Sequence, residues 1–353
     1  MALDTPLSPN DIRAARADSP DLRERDLADG LGITEAQLVA AHVGAGATRL
    51  NPHPDGINTA ACTLGEVMAL TRNESCVSEV VGTYGNYKPG KHAAMVLNDP
   101  IDLRIFPGRW ASAFAVEKPT ANGIRRSLQV FDKAGDAVNK IFLRDGSDLD
   151  AWARAVETLR HEDQSDGQDV QPREPVEPAK SNPAKLDALR EGWAAMTDTH
   201  QFYAMANRLK MNRLGAYRIV GAPYARALQT DAVDQMLHAV RDGGFPIMIF
   251  VGNQGCIQIR SGTIETLKPM GPWQNILDPG FNLHLRLDHI AEVWEVTKPT
   301  KRGPAVSVEA FDAEGGLIFQ IFPVPAGRDM PDSRDDWQKV VDALPDLAGE
   351  GVA

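Results

Sequence analysis

The sequence predicts an α+β fold of two homologous halves, each an antiparallel β-sheet with flanking helices. Three observations predict it. The first is length: 353 residues exceed the ~250–300 at which one hydrophobic core stops growing, so two domains are expected. The second is an internal match. The register that lays Asn73 on Asn253, an offset of 180 residues, also lays Cys76 on Cys256, Gly82 on Gly262 and Lys88-Pro89 on Lys268-Pro269. In the same register Lys118-Pro119-Thr120 meets Lys298-Pro299-Thr300, and Phe131-Asp132 meets Phe311-Asp312. Chance does not hold one register that long. The third is that strand-like segments follow one another without crossover helices between them, as antiparallel sheets require.

The elements follow in order. Each half opens with helices, and LGITEAQLVAAHVGAGATRL (31–50) resembles LKMNRLGAYRIVGAPYARAL (209–228) after a small gap. Strands come next. FAVEKPT and WEVTKPT each read as one arm of a hairpin with a Lys-Pro-Thr exit. The alternation in SVEAFDAEGGLIFQIF predicts a second hairpin turning at 313–316, with its counterpart turning at 133–136. A helix closes each half. Leu149, Trp152, Val156 and Leu159 recur at helical spacing in 148–160, and Trp337, Val340, Val341 and Leu344 do so in 333–344. Between the halves, DQSDGQDVQPREPVEPAKSNPAK has linker composition. The predicted organisation is an N-terminal repeat (1–162), a proline-rich acidic linker (163–185) and a C-terminal repeat (186–353).

Composition narrows the class. With 43% hydrophobic and 24% charged residues the chain reads as globular, and no apolar run reaches the ~18–20 residues of a membrane span. The N-terminus lacks a basic start followed by an apolar stretch, so a cytoplasmic protein is expected. Cys62, Cys76 and Cys256 form no C-x-x-C pair and are odd in number, which argues for buried, reduced thiols. A formal charge of -11 opposes a nucleic-acid partner. The helical stretch at 26–44 superficially looks like a DNA-binding helix-turn-helix, but carries few basic residues where phosphates would be met.

A duplicated protein with one site should keep scaffold in both copies and chemistry in one. His200 and Arg213 stand in the second half where the first has Leu22 and Glu35. A lone histidine is either a structural or surface residue or a ligand. Thr197, Asp198 or Thr199 is expected to cap the helix start and leave the imidazole pointing into a cleft. One neutral histidine suffices as an axial ligand to heme iron, given an apolar slot and cations for the propionates. Phe202, Tyr203, Met205, Met248, Phe250 and Trp273 are candidates to line that slot, each with simple core packing as the alternative.

The segments MTDTHQFYAMANRLKMNR (196–213), GPWQNILDPGFNLHLR (271–286), VTKPT (296–300), LTRNE (70–74) and DLRIF (102–106) occur in order along the chain. With them the sequence resembles the cytoplasmic hemin-degrading factor and hemin-transport family of bacterial heme-uptake operons. The resemblance covers nearly the whole chain. It implies heme b, iron protoporphyrin IX, held against the second half and closed over by the first. His200 is then the proximal metal ligand and Arg213 a distal hydrogen-bond donor to water, dioxygen or a propionate. Thirteen helical steps would leave these two about 140° apart, so a turn at 210–212 is needed. The resemblance further implies that Lys298 meets a propionate, although Lys118 at the equivalent place leaves a structural role open. Arg104, whose counterpart is His284, closes over the heme. Met248, Phe250 and Gln320 line the pocket. Phe319 stands where a tyrosine is expected, which puts one propionate contact in question. No histidine occurs at 75–78, so one principal site is expected.

Two functions fit such a site. One is a carrier that accepts heme from an inner-membrane ABC transporter and passes it to a downstream acceptor. The other is a heme-degrading oxygenase supplied by an external reductase, since no flavin or nicotinamide motif is present. A duplicated interaction module without heme is the third reading.

Overall fold

The computed structural model describes residues 7–327 and 329–347, and one series of elements runs twice along it. In the first pass α1 (Pro9–Asp18), α2 (Glu24–Leu31) and α3 (Glu35–Ala40) lead to β1 (Ala47–Leu50), α4 (Pro54–Ala61), β2 (Gly65–Arg72) and β3 (Cys76–Thr83). Then come β4 (Tyr87–Lys88), β5 (Ala94–Leu97), β6 (Asp102–Ile105), β7 (Ser112–Thr120), β8 (Gly123–Phe131), β9 (Ala137–Ser147) and α5 (Leu149–Leu159). The second pass begins with α6 (Leu186–Ala194), α7 (Gln201–Arg208) and α8 (Arg213–Val220), followed by β10 (Ala225–Leu228), α9 (Ala232–Gly243), β11 (Ile247–Gly252) and β12 (Cys256–Gly262). It ends with β13 (Leu267–Met270), β14 (Trp273–Asp278), β15 (Phe281–Arg286), β16 (Glu292–Lys298), β17 (Ala305–Phe311), β18 (Leu317–Pro323) and α10 (Arg334–Asp342).

Two compact units result. One holds Met1–Arg72, Glu79–Glu174 and Gly252–Gln258; the other holds Asn73–Ser78, Pro175–Val251 and Ile259–Ala353. In the first unit the strands lie in the order β1-β7-β8-β9-β2-β3, and β4-β5-β6 form an antiparallel ribbon. In the second the order is β10-β16-β17-β18-β11-β12, with the antiparallel ribbon β13-β14-β15. The fold is therefore α+β and duplicated.

The repeated motifs are turn chemistry. Asp132 Oδ1 accepts from the backbone N–H of Ala134 and Asp136 at 2.9 and 3.0 Å, and Asp312 Oδ1 accepts from Glu314 and Gly316 at 3.1 and 2.7 Å. These close the two predicted hairpins. At the Lys-Pro-Thr exits, the Thr120 and Thr300 hydroxyls donate to the carbonyls of Gly123 and Gly303 at 2.7 and 2.6 Å. Asn253 Oδ1 accepts from Gly255 and Cys256 N–H, both at 2.9 Å, while its amide donates to the Val138 carbonyl at 2.9 Å inside the first unit. Asn73 does the same inside the second unit, with its amide on Ile318 at 2.8 Å. Neither unit is thus one continuous stretch. Each includes a turn that comes from the other repeat in sequence, which the alignment alone did not reveal.

The proline-rich segment has no helix or strand before Pro183, yet it is pinned throughout. Arg49 holds Gln168 and the Gly167 carbonyl, both at 2.6 Å, and Arg173 makes a two-bond ion pair with Asp136 at 2.7 Å. In the second unit, Asn212 and Lys180 exchange bonds of 2.9 and 3.1 Å. Gly215 makes that approach possible, because a Cβ there would lie 2.0 Å from the Lys180 carbonyl oxygen. The closing helices form as the spacing predicts, with Trp152, Leu159, Trp337, Val341 and Leu344 buried; Leu149, however, is exposed at the first turn.

In the second unit helices α6, α7 and α8 cover one face of the sheet. Trp193, Phe202, Met205, Tyr217, Val296 and Phe311 form its core. Trp193 and Phe202 meet edge to face at 5.0 Å, a geometry worth ~0.5–1.5 kcal/mol beyond area burial. Phe131 occupies the equivalent place in the first unit, against Phe114. Of the cysteines, Cys76 and Cys256 are buried free thiols as expected, whereas Cys62 is exposed.

Candidate functional site

His200 is the N-cap residue of α7, and its imidazole is 94% exposed. The expected capping is replaced by a different arrangement. Asp198 Oδ1 accepts from the backbone N–H of His200 at 2.8 Å and meets Nδ1 of the same ring at 2.6 Å. Those bonds hold the Asp198 carboxyl below its ordinary range, the backbone N–H contributing most. Thr197 and Gln201 satisfy the helix start between themselves. With Nδ1 occupied by a carboxylate, Nε2 is left as the free, basic nitrogen, which is how a metal-ligating histidine is oriented.

The chain turns where the geometry required. Helix α7 ends at Arg208, Lys210 has φ +60°, and Asn212 caps α8 through the Gly215 N–H at 3.0 Å. Arg213 is therefore the first residue of α8, where the positive end of the helix dipole disfavours a cation. Glu309 of β17, fully buried, compensates. It accepts from Arg213 at 2.8 Å, from Lys298 at 3.0 Å, from Ser307 at 2.9 Å and from the Tyr217 hydroxyl at 3.0 Å. Lys298 also donates to Tyr217 at 2.9 Å and sits over the Phe202 ring. Burial alone would raise the Glu309 pKa, but the two cations bring it down to about 2. Burial lowers that of Lys298, with Glu309 opposing, and Arg213 is held above its usual value by Glu309 against the cost of burial. Two cations against one carboxylate leave this buried cluster with a surplus of one positive charge.

Tyr203 extends the cluster onto α7. It lies three residues beyond His200, on the same side of the helix, and its hydroxyl bonds the Arg213 guanidinium, which also stacks over its ring. Tyr203 is 55% exposed, whereas Phe202 and Met205 are core and not slot lining.

One row of the sheet runs through Phe250, Gln320, Glu309 and Trp294, since these are register partners across β11, β18, β17 and β16. Their side chains share a face. Met248 lies two residues from Phe250 on that face and is nearly buried. Phe319 pairs with Ala310, points to the face opposite Gln320 and is buried there. The aromatic residue on the Gln320 side is Phe322, which meets Phe250 edge to face at 5.2 Å. Trp273 lies at the start of β14 with Arg286 over its ring. Arg104, on β6 of the first unit, bonds Asp102 and the Leu103 carbonyl.

Sequence reasoning missed Glu309, Tyr217 and Ser307. A signal was present, because the first repeat distributes its charges differently at the matching places. Glu35 replaces Arg213, Lys140 replaces Gln320 and Gln129 replaces Glu309. In that unit Lys140 bonds Glu35 and Glu24, the latter at 3.1 Å, and Arg25 stands 4.0 Å from Glu35, so two carboxylates face two cations. A recess of about 450 Å³ beside Pro223, Tyr224 and Thr297 includes none of these residues.

Together these features define a duplicated α+β protein whose second repeat carries an exposed histidine at the start of α7 and a buried charged cluster between α8 and the sheet. The Haemin-degrading HemS.ChuX domain profile matches residues 32–159 and 210–344, and the chain belongs to that family. It is 39% identical over 317 residues to the hemin transport protein HmuS of Yersinia pestis, covering 87% of this chain and 89% of that protein. The solved structure of holo-PhuS, a heme-binding protein from Pseudomonas aeruginosa, superposes with a TM-score of 0.90 at 42% identity, covering 97% of this chain and all of that one. The structure of ChuS, an E. coli heme oxygenase, superposes at 0.83 with 33% identity, covering 94% and 99%.

Proposed function

We propose that this protein is a cytoplasmic heme carrier of bacterial heme uptake, which takes up heme b and releases it to a downstream acceptor. His200 Nε2 is the axial ligand to the iron. Arg213 and Lys298 receive carboxylate or distal oxygen, and Met248, Phe250 and Gln320 lie along the face the macrocycle meets. The observation that carries this reading is the Asp198–His200 pair: an imidazole tied at Nδ1 and 94% exposed at the start of α7. The residues present fit heme, which supplies iron and four of its ligand nitrogens. Among the described residues no group of three or more His, Cys, Asp or Glu is placed to hold a bare metal ion. No helix among the described residues is long and apolar enough to cross a membrane. An ABC transporter in the membrane is the proposed heme donor.

A second reading, reductant-dependent heme degradation, is favoured by the likeness to ChuS. The chain's own contribution would be the same: fix the iron through His200 and present Arg213 as a donor. The deciding experiment is a ferric-heme titration followed by Soret absorbance, with His200→Ala alongside. One heme per chain, lost in the variant, is expected. Identical weak and unsaturating spectra in both would refute the site. Reductant added in air then separates the two readings, since a carrier keeps its Soret band.

A further inference from the structure

We infer that Glu309 is a positioning residue for heme: by keeping Lys298 charged inside the protein it makes heme binding independent of pH and free of proton exchange. The inference rests on the proposed heme site and goes beyond it, since Glu309 does not itself face the ligand as a donor.

Lys298 is 6% exposed at its side chain and Glu309 is fully buried. A lysine so placed is driven toward its neutral form by desolvation. The groups that face it are few. From α8 come Arg213, whose charge also discourages protonation, and the Tyr217 hydroxyl. From α7 come the Phe202 ring and, through Arg213, the Tyr203 hydroxyl. From β17 come Glu309 and Ser307, and Ser307 spends its hydroxyl on Glu309. Glu309 is thus the one anion among them. Its two oxygens are shared, Oε1 to Lys298 and Oε2 to Arg213, so a single carboxylate sets the charge and direction of both cations. With the carboxylate present, Lys298 meets an incoming propionate already protonated. Without it, Lys298 stands neutral beside Arg213 until the propionate arrives, and binding must draw a proton from solvent.

The first repeat supports this. Gln129, the neutral counterpart of Glu309, bonds Glu24 and Ser127; Lys118, the counterpart of Lys298, is half-buried and has no hydrogen bond or ion pair among the described residues. A lysine at this position is drawn into the sheet face only where the carboxylate accompanies it.

The test is Glu309→Gln in the full-length protein, with ferric heme as the probe. Heme affinity is measured from pH 6 to pH 9, and proton uptake by calorimetry in buffers of different ionisation enthalpy. The variant should lose affinity about tenfold per pH unit above its lowered Lys298 pKa and take up close to one proton per heme, while the parent shows neither. Glu309→Gln combined with Lys298→Met should abolish the proton uptake. Ser307→Ala, a milder change that removes one bond to the same carboxylate, should shift both readouts in the same direction by less, and serves if Glu309→Gln does not fold. A parent-like pH profile without proton uptake in the folded variants would overturn the inference. Failure of the parent to bind heme would instead overturn the proposed function.

Discussion

Arg213→Met separates a functional cation from a structural one. In the parent, Arg213 and Lys298 face a single carboxylate, and the side chain of Arg213 is 14% exposed. Methionine keeps the aliphatic bulk and removes the charge. What is lost is a charged hydrogen bond of 2.8 Å to Glu309, worth about 1.5–3 kcal/mol, and the bond to the exposed Tyr203. What is gained is relief from a surplus buried cation, whose desolvation costs several kcal/mol. Glu309 keeps Lys298, Tyr217 and Ser307, so it is not orphaned. The two effects are of similar size and opposite sign, and stability should stay within about 1 kcal/mol of the parent. Heme affinity should fall about tenfold or more, equivalent to 1.4 kcal/mol or more. The assays are urea unfolding at constant m-value and a Soret titration. A loss of 3–5 kcal/mol in stability with unchanged heme affinity would refute the reasoning, because that is the mark of breaking a buried pair whose partner is left uncompensated.

Lys140→Met should do what Arg213→Met does not. It removes the one lysine that Glu24 and Glu35 both bond and leaves Glu35 with Arg25 at 4.0 Å, at a cost of about 3 kcal/mol, with heme stoichiometry unchanged in the folded fraction. Gly215→Ala should destabilise although alanine gains about 1 kcal/mol of helix propensity, because the new Cβ meets backbone atoms of Lys180 and Ser181. The two bonds between Asn212 and Lys180 would be strained, for a net loss of about 1–2 kcal/mol in chemical denaturation; a stabilised variant would show that the strap yields. Acid should unfold the protein between about pH 4.5 and about pH 2. Glu24 and Glu309 are each held down from 4.5 to about 2, so their contribution is complete above the ordinary carboxylate range and lost as pH falls through it, while Lys298 and Arg213 stay protonated in both states. Stability measured at pH 6, 4 and 3 checks the sign.

Much of the fold was legible in the residues. The Asp132 and Asp312 turns and the Thr120 and Thr300 exits are local, each decided by a side chain bonding backbone a few residues away. The loss of symmetry at His200 and Arg213 was legible because comparing two copies of one scaffold exposes what only one of them carries. The Asp198 bond to Nδ1 was misread as a cap, since a carboxylate two residues before a histidine can serve the helix or the ring and the sequence does not choose. Phe202 and Met205 carry two readings in the sequence, slot lining or simple core, and the fold makes them core, because hydrophobicity does not say which way a helical residue points.

The sequence by itself determined the duplication, the strand and helix order, the turns and the asymmetric histidine, because these depend on local bonding and on comparison within the chain. Only the tertiary structure decided which residues hold the charges. Glu309 lies 96 positions from Arg213 and 11 from Lys298, and nothing in one dimension marks it as the partner of both. The structure likewise decided that Phe319 faces the opposite side from Gln320, and that Asn73 and Asn253 each bond a carbonyl far along the chain. A buried charge must find its counter-ion wherever packing brings one within about 3 Å, and that distance is a property of the folded sheet, not of the spacing along the chain.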